Sequence, residues 1–395
     1  MAPAPLEGGP APLPMPLCID GRIVPGAATG VAHYAANLRA ALAGAGVTPC
    51  LLVDSPADRS LAPPRPGILS FLARMAKAAR PGARVAAIDA PDRFSAVDIF
   101  REAQRHFDLY GRALPVELPG PPGIMHWTYP LPLRARGWRN VYTVHDLIPI
   151  LTPALTSIDR GRYARLLRAI ARRADRLVTV SATARDELIA WLGGPAGLVV
   201  DCGQGIGPAP AMAPALPAGL APDAYFLAVG TIEPRKNLAR LIAAHAASGA
   251  RRPLVLAGPD GWRAAPIRAA IARAPGVIRL EYQPPATMAR LMHDATALLF
   301  PSLAEGFGMP LIEAMAAGTA VLTADRGALA EVAAGAALLV DPEDGAAIAQ
   351  GIARLERDEA LRRALVAAGA RNVARYTPAR HAERLLALYR DIGPP

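Results

Sequence analysis

The chain has 395 residues, of which 52% are apolar and 19% charged, so we expect two domains with large cores and exclude a wholly disordered protein. No apolar run reaches the roughly 18 residues of a membrane-spanning helix, and the three cysteines form no Cys-x-x-Cys pair, which disfavours a disulfide framework or a structural zinc site. The net charge of +10 lies mainly in residues 1–200, with 23 Arg and Lys against 15 Asp and Glu, but scarce aromatics and the lack of a nucleic-acid-binding motif disfavour nucleic acid as a partner.

Residues 1–16 are rich in proline and predict an N-terminal tail. This tail lacks the basic start and the apolar run of a signal peptide. We therefore expect the protein to stay in the cytoplasm.

After the tail, short β-rich runs alternate with Ala-, Leu- and Arg-rich stretches of helical period, which is typical of parallel sheets covered by helices. The candidate strands are Leu51–Val53, Val85–Ile88, Ile124–His126, Val141–Val144 and Leu177–Val180 in the first half, and Tyr225–Val229, Leu254–Leu256, Val277–Ile278, Ala297–Phe300, Val321–Leu322 and Leu338–Val340 in the second. The pattern predicts two α/β domains with doubly wound parallel sheets.

The segment from Gly203 to Pro217 is dense in Gly and Pro and predicts a linker. It contains a Gly-x-Gly-x-Gly pattern, but that pattern opens no helix, so a linker is favoured over a phosphate loop. We expect the first domain to span 17–205, the second to span 206–375, and residues 376–395 to form a C-terminal helix that packs back toward the first domain.

Polar residues follow three of the predicted strands, and in open parallel sheets ligands bind beyond the carboxyl ends of the strands. The three corners are His145 and Asp146 after the strand from Val141, Gly230–Asn237 after the strand from Tyr225, and Pro301–Glu313 after the strand from Ala297. Each corner is predicted to lead from a strand through a loop into a helix.

The third corner carries the most information. Gly306 and Gly308 allow the backbone to approach a ligand closely, and Pro310 suits the first turn of a helix. The free N–H groups of that turn would face an anion or sugar hydroxyls. Glu305 lies in the loop and Glu313 falls near the first turn, so the two carboxylates can reach different parts of one long ligand. Alternatively, Glu313 only complements the helix dipole.

The second corner contains Lys236, one of only two lysines beside 41 arginines. Its neighbour is Arg235, and a pair of cations at a strand-to-helix corner suits a diphosphate. The alternative is a solvated helix start.

Together these motifs resemble the retaining glycosyltransferases of family 4, which have the GT-B fold. The resemblance rests on His-Asp after a strand, on Gly-Thr-x-Glu-Pro-Arg-Lys-Asn, and on Glu-Gly-Phe-Gly-x-Pro-x-x-Glu, whose Glu305 and Glu313 have that family's Glu-x7-Glu spacing. It covers nearly the whole chain from about Ile19 and includes the stretch Leu338–Pro342. The segment Thr29–Tyr34 is similar to the family's first glycine loop and helix.

The resemblance implies a site for a sugar-nucleotide donor, and we expect neither a metal nor another cofactor. Lys236 would hold the donor diphosphate, with Arg235 nearby, and Glu313 would bind the ribose. The other donor-binding residues that it implies are Gly30, Thr231, Gly306, Phe307, Gly308, Met309 and Pro310.

The catalytic residues that the resemblance implies are His145, Glu305 and Lys236. His145 would lie near the anomeric centre, and Glu305 would face the sugar hydroxyls. Asp146 and His126 are candidate contacts of the acceptor. A single histidine at a strand end also has a structural interpretation, which stays open for His126.

One departure from the family concerns Thr231, which stands where many members have arginine. Neutralisation of the phosphates would therefore rest on Lys236 and Arg235. No Asp-x-Asp occurs in the sequence, which disfavours a divalent metal in this role. Family resemblance implies retention, and same-face attack assisted by the leaving phosphate is the hypothesis for it.

The leading functional hypothesis is transfer of a hexose, with mannose from GDP-mannose preferred, to a polysaccharide or a lipid-linked saccharide. The preference rests on the Gly-Thr-x-Glu-Pro-Arg-Lys-Asn variant, which resembles that of bacterial mannosyl- and rhamnosyltransferases. A nucleotide-sugar epimerase of the same fold and a catalytically silent sugar-binding protein are the alternatives. An NAD-dependent oxidoreductase is weaker, since no Gly-x-Gly-x-x-Gly follows the first strand.

The basic first half raises the prospect of peripheral attachment to an anionic membrane surface if the acceptor is polyprenyl-linked. In the stretch Arg160–Arg173, helical spacing places Arg165, Arg168 and Arg172 on one side and the large apolar residues on another. This arrangement favours docking over an even spread of arginines.

Overall fold

The computed structural model describes residues 13–22, 30–55, 75–76, 78–80, 82–194, 196–208 and 210–395. Most of the predicted tail, residue Thr29 of the glycine-loop motif and Lys77 lie outside these described residues.

The first half of the chain is built on an eight-stranded sheet in the order β11-β10-β9-β7-β1-β2-β5-β4. Its strands are β1 (Leu17–Asp20), β2 (Cys50–Ser55), β4 (Ala87–Ala90), β5 (Arg93–Val97), β7 (Ile124–Trp127), β9 (Arg139–Val144), β10 (Arg176–Thr179) and β11 (Val199–Asp201). All pairs are parallel except β4 with β5 at one edge. The carboxyl ends of β1, β7 and β9 therefore lie side by side.

A second, smaller sheet of the first half corrects one predicted strand. It contains β3 (Arg84–Val85), β6 (Leu114–Glu117) and β8 (Leu133–Ala135). The predicted single strand Val85–Ile88 is wrong, because the chain passes from β3 in this sheet to β4 in the large sheet. Ala86 lies at the crossing, where its N–H donates to the Glu117 carbonyl at 2.9 Å.

The second half is built on a six-stranded, fully parallel sheet in the order β14-β13-β12-β15-β16-β17. Its strands are β12 (Phe226–Val229), β13 (Leu254–Ala257), β14 (Val277–Leu280), β15 (Ala297–Phe300), β16 (Ala320–Ala324) and β17 (Leu338–Val340). All six predicted strands of this half are confirmed. The four inner strands are fully buried, as expected for a parallel sheet covered by helices, and the edge strands β14 and β17 are partly exposed.

Helices connect the strands in both halves. In the first half they are α1 (Gly30–Gly44), α2 (Ile99–Tyr110), α3 (Ile148–Leu151), α4 (Arg160–Ala171) and α5 (Ala182–Leu192). In the second half they are α6 (Leu238–Ala247), α7 (Ala264–Ala272), α8 (Pro285–Asp294), α9 (Met309–Ala316), α10 (Gly327–Ala333), α11 (Gly345–Arg357), α12 (Glu359–Val373) and α13 (Pro378–Ile392). Among the helices that the structure describes, none is long and apolar enough to cross a bilayer.

Side-chain caps explain where several helices begin. The side chains of Asp159, Ser181, Asp344, Asp358 and Thr377 each accept a hydrogen bond from a backbone N–H in the first turn of the helix that follows. Such caps satisfy N–H groups that have no partner within the helix.

The described residues between 202 and 225 contain no helix or strand, and we retain the domain boundary at 205/206 as a proposal. The last helix, α13, lies against α1. Its Tyr389 hydroxyl is 2.5 Å from Nδ1 of His126, and Asp391 accepts a hydrogen bond from Arg176 at 2.8 Å. One hydrophobic cluster contains residues of both halves together with Leu385, Leu386 and Tyr389 of α13.

Candidate active site

The loops after β12 and β15 touch each other because these strands are neighbours in the parallel sheet. The N–H of Leu303 donates to the Arg235 carbonyl at 2.9 Å, and the Arg235 guanidinium donates to the Ala304 carbonyl at 3.1 Å. Asn237 also joins the loops, since its side-chain amide donates to the Pro301 carbonyl at 3.0 Å. The second and third predicted corners therefore form one surface.

Four charged side chains on this surface form an ion cluster, which consists of Glu233, Arg235, Lys236 and Glu305. Lys236 Nζ lies 2.7 Å from Glu305 Oε1, and Arg235 binds the other oxygen of the same carboxylate. Arg235 also donates to Glu233 at 2.7 Å. Both Lys236 and Glu305 expose only 10% of their side chains. Glu305 is thus held by two cations in a largely buried position.

The electrostatics of the ion cluster keep Glu305 charged. Burial alone would raise the pKa of Glu305, but Arg235 and Lys236 together outweigh it and lower that pKa to about 2. Burial, together with the neighbouring Arg235 cation, lowers the pKa of Lys236, although Glu305 opposes this shift. At neutral pH Glu305 can accept hydrogen bonds from hydroxyl groups, but it cannot donate a proton.

Arg235 and Lys236 differ in the donors that they have left for a ligand. The guanidinium of Arg235 already donates to both carboxylates of the ion cluster and to Ala304. The ammonium of Lys236 has three N–H donors, of which one is used on Glu305. Its Nζ also lies 4.4 Å from the centre of the Phe300 ring. Lys236 therefore keeps two N–H donors for an anion, whereas the bonds of Arg235 leave it one of its five.

The first corner, from the other half of the chain, meets the third corner at Gly306. A Cβ atom built on Gly306 would lie 2.2 Å from the His145 carbonyl oxygen, so no side chain fits there. Sequence reasoning assigned the small size of Gly306 to a close approach of ligand, whereas in this structure the close neighbour is the backbone of His145. Glu305 and His145 are therefore brought to the same junction.

His145 is held in one tautomer by its surroundings. Its Nε2 lies 2.9 Å from the Thr128 carbonyl, which can only accept, so Nε2 carries the proton. The imidazole packs edge-on against Tyr34, with ring centres 4.8 Å apart. Burial lowers the pKa of His145 to about 4, although the bond to Thr128 opposes that shift. His145 is thus neutral at pH 7, and its Nδ1 is an acceptor.

Comparison with known proteins shows to which family this chain belongs. A model described as Glycosyltransferase Family 4 matches residues 28–202, and one described as Glycosyl transferases group 1 matches residues 219–372. The D-inositol 3-phosphate glycosyltransferase of Actinosynnema mirum is 32% identical over 281 residues, which cover 64% of this chain and 67% of that protein. The chain belongs to glycosyltransferase family 4.

Two further similarities bear on this family 4 glycosyltransferase. O-antigen chain mannosyltransferase B of Escherichia coli is 33% identical over 247 residues, which cover 58% of this chain and 65% of that protein. The chain thus spans slightly less than two thirds of that relative. Sucrose-phosphate synthase from Thermosynechococcus elongatus superposes with a TM-score of 0.66 at 20% identity, covering 96% of this chain and 99% of that chain. This likeness confirms the predicted GT-B fold.

The other residues predicted to bind the donor of this glycosyltransferase lie around the start of α9. Gly308 has a positive φ of 98° and directly precedes this helix. Phe307 is buried edge-on against Tyr376. Glu313 is the fifth residue of α9 and so lies near its first turn, as the sequence predicts. Burial raises the pKa of Glu313, and His33 of α1 opposes that shift from the other half of the chain.

Thr231 and Gly30, two further residues predicted to bind the donor, do not lie at the start of α9. A Cβ atom on Gly261 would lie 2.2 Å from the Thr231 methyl group, so the side chain of Thr231 packs against the loop after β13. Gly30 is exposed and begins α1, directly after residues that lie outside the described part of the chain. The predicted phosphate contact of Gly30 stays a prediction.

The geometry argues against an acceptor contact for His126. Its imidazole is fully buried, with Nδ1 2.5 Å from the Tyr389 hydroxyl and Nε2 2.8 Å from Thr143 Oγ1. Both ring nitrogens are therefore used within the protein, which is the structural interpretation. Asp146 remains nearer the junction and accepts a hydrogen bond from the Ile148 N–H at 3.0 Å.

Sequence reasoning missed three residues at or near the junction: Asp20, Ser181 and Glu331. Asp20 ends β1, which was not among the predicted strands, and lies beside the end of β7. Ser181 and Glu331 carry no motif signal, because their contacts join the two halves. Within the described ranges, no three His, Cys, Asp or Glu side chains are grouped as a metal site requires.

Proposed function

We propose that this glycosyltransferase transfers mannose from GDP-mannose, with retention of anomeric configuration, to a polysaccharide or a lipid-linked saccharide. One observation carries the proposal: Lys236 binds Glu305, and Gly306, the residue after Glu305, contacts the backbone of His145 where the two halves join. The similarity to O-antigen chain mannosyltransferase B of Escherichia coli supports mannose as the sugar.

Lys236 would bind the donor diphosphate. The group that leaves is a nucleoside diphosphate, and negative charge develops on its β-phosphate as the glycosidic bond breaks. Lys236 retains two N–H donors beside its contact with Glu305. In a largely buried site, a cation aimed at developing charge stabilises the transition state more than the ground state. Arg235 would act by fixing Glu305 and the loop.

Glu305 would orient the sugar and not attack it. Each oxygen of its carboxylate already accepts from a cation, and its pKa of about 2 makes it a poor nucleophile. This supports same-face attack, in which the leaving phosphate accepts the proton of the acceptor hydroxyl. His145 would lie near the anomeric centre and accept a hydrogen bond at Nδ1.

We propose that Lys236 neutralises the diphosphate without a metal ion. The support is its position and the lack of an Asp-x-Asp sequence. Titration of the purified enzyme with EDTA tests this point. An unchanged rate is expected, and a rate that falls and returns with Mg²⁺ would contradict the proposal.

A panel of sugar nucleotides tests the function. GDP-mannose, UDP-glucose and UDP-N-acetylglucosamine are compared for slow hydrolysis and for the melting temperature, since a ligand at 100 times its Kd adds about 2.7 kcal/mol to the free energy of unfolding. GDP-mannose alone should raise the melting temperature. Stabilisation by a UDP-sugar instead would replace the proposed donor, and no hydrolysis of any donor would favour a silent sugar-binding protein. Interconversion of the sugar nucleotide without acceptor would indicate an epimerase.

We also propose peripheral attachment to an anionic membrane through α4. The apolar residues of this helix, Leu166, Leu167 and Ile170, are buried in the core, so the helix cannot insert into a bilayer. Arg168 and Arg172 are exposed and have no ion-pair partner among the described residues. They line a cavity of about 310 Å³ between α4 and α5. Attachment would therefore be electrostatic.

Co-sedimentation with liposomes tests the attachment. Wild-type protein should bind anionic but not neutral vesicles, and salt should release it, since each arginine near the surface contributes about 1 kcal/mol. The double variant Arg168→Glu with Arg172→Glu should lose binding. Arg354→Glu with Arg357→Glu makes the same charge change on exposed residues of α11 and should retain it. Equal loss in both variants would contradict the assignment to α4.

A further inference from the structure

A carboxylate of the second half caps a helix of the first half. Glu331, in α10, accepts hydrogen bonds from the backbone N–H groups of Ala182 at 2.8 Å and Thr183 at 2.7 Å, at the start of α5. It also accepts from the Thr183 hydroxyl at 2.7 Å. The first N–H groups of a helix have no partner within the helix, and the positive end of the helix dipole favours a carboxylate. The two halves are thus joined by charge-assisted hydrogen bonds.

The same helix start reaches the candidate active site through Ser181. The Ser181 side chain accepts from the Ala184 N–H at 3.1 Å and caps α5, and its hydroxyl donates to the Gly306 carbonyl at 2.8 Å. Gly306 directly follows Glu305 and contacts the backbone of His145 on its other side. Residues of the first half therefore contact Gly306 both at its carbonyl oxygen and at its Cα atom.

We propose that Ser181 and Glu331 are positioning residues, which hold the two halves in the arrangement that places the Glu305 loop against His145. Glu331 fixes the start of α5 relative to the second half. Ser181, which caps the same helix, then fixes Gly306 relative to α5 through its hydrogen bond to the Gly306 carbonyl. The effect on transfer rests on the proposed function, whereas the effect on the arrangement of the halves does not. Neither residue needs to touch a substrate.

Donor binding and sugar transfer should depend differently on the contact that Glu331 and Ser181 make between the halves. Most of the predicted donor-binding residues, among them Lys236, Glu305 and Glu313, lie on the second half, so donor binding should largely survive separation of the halves even if the predicted contact of Gly30 is lost. His145 lies on the first half, so transfer should not survive it. A misplacement of about 1 Å between reacting groups can cost 100-fold in rate. A lower kcat with an unchanged donor KM is therefore the expected signature.

Small-angle scattering and kinetics of the full chain test the proposal. Glu331→Ala and Ser181→Ala are compared with Glu359→Ala, which removes an exposed glutamate from the first turn of α12 in the same half. Glu331→Ala should raise the radius of gyration above that of wild type, for which roughly 21 Å is expected of a compact chain of this length. Glu331→Gln keeps one acceptor oxygen and should fall between wild type and Glu331→Ala. The control should match wild type.

Kinetics use whichever sugar nucleotide of the panel wild type hydrolyses. Glu331→Ala and Ser181→Ala should lower kcat about tenfold or more, with the donor KM within about twofold of wild type. An unchanged radius together with an unchanged kcat would overturn the proposal. So would a raised donor KM at unchanged kcat, because the contact would then serve donor binding. If wild type used no donor, the proposed function would fail and the scattering would still decide this inference.

Discussion

Replacing Asp20 by asparagine should raise the free energy of unfolding of this glycosyltransferase at pH 7. Asp20 is 3% exposed at the end of β1. One carboxylate oxygen accepts from the Thr128 N–H at 2.5 Å, and the other has no hydrogen-bond partner among the described residues. Burial raises the pKa of Asp20 to about 6, although the Thr128 bond and the nearby Arg22 oppose the shift.

The size of the effect follows from the difference in pKa between the folded and unfolded states. An unfolded aspartate has a pKa near 3.9, so the shift to about 6 is about two units, or about 3 kcal/mol. Because the folded state binds the proton more tightly, the stabilisation from Asp20 is complete below about pH 4. It is lost as the pH rises toward 6. The asparagine stays neutral and can still accept from Thr128.

Urea denaturation at pH 4, 5 and 7 measures the difference. Trp262 is replaced by phenylalanine in both proteins, so that the fluorescence of Trp127, Trp138 and Trp191 reports the first half alone. Asp20→Asn should match its parent at pH 4 and exceed it by 2 to 3 kcal/mol, as a rough upper range, at pH 7. Asp89→Asn changes an exposed aspartate of β4 and should show no such difference. An advantage of equal size at pH 4 and pH 7 would refute the argument from ionisation.

Three substitutions probe the candidate active site. Lys236→Ala should lower kcat roughly 100-fold or more, which corresponds to about 3 kcal/mol of transition-state stabilisation, and should lower turnover far more than it lowers stability; unchanged turnover of the purified variant would reject its role. Glu313→Ala should mainly weaken binding of the nucleotide, because a ribose contact exists in the ground and transition states alike. Calorimetry that finds unchanged donor affinity beside a slower rate would contradict this. His145→Ala should spare donor binding and abolish transfer, and an equal loss of both would move His145 into the donor-binding shell.

The second half was the easier half to predict from the sequence. Most of its strands are short, largely apolar runs that are buried on both faces, such as Leu254–Ala257, and such runs stand out against the intervening helices. In the first half, Arg93–Val97 and Leu114–Glu117 were missed. Arginine, serine and proline interrupt their apolar pattern, and local pattern alone cannot reveal a strand that its sheet neighbours stabilise.

In the candidate site, too, the sequence revealed features with a local pattern and missed those that depend on how distant segments pack. The loops after β9, β12 and β15 were found because polar residues directly follow predicted strands. The direct pairing of Lys236 with Glu305 was not predicted, because it depends on which strands are neighbours in the sheet. The contacts of Ser181 and Glu331 depend on how the two halves pack, which no local pattern encodes.

The position of α13 has a consequence for how the chain folds during synthesis. The large sheet of the first half is complete at β11, yet its hydrophobic cluster also contains Leu385, Leu386 and Tyr389. These residues leave the ribosome only after every strand of the second sheet. Until then, the apolar side chains of α1 that pack against α13, and the buried imidazole of His126, lack their final partners. We therefore expect the first half to stay incompletely packed and prone to aggregation until α13 has been synthesised. Packing of α13 then completes the core of the first half.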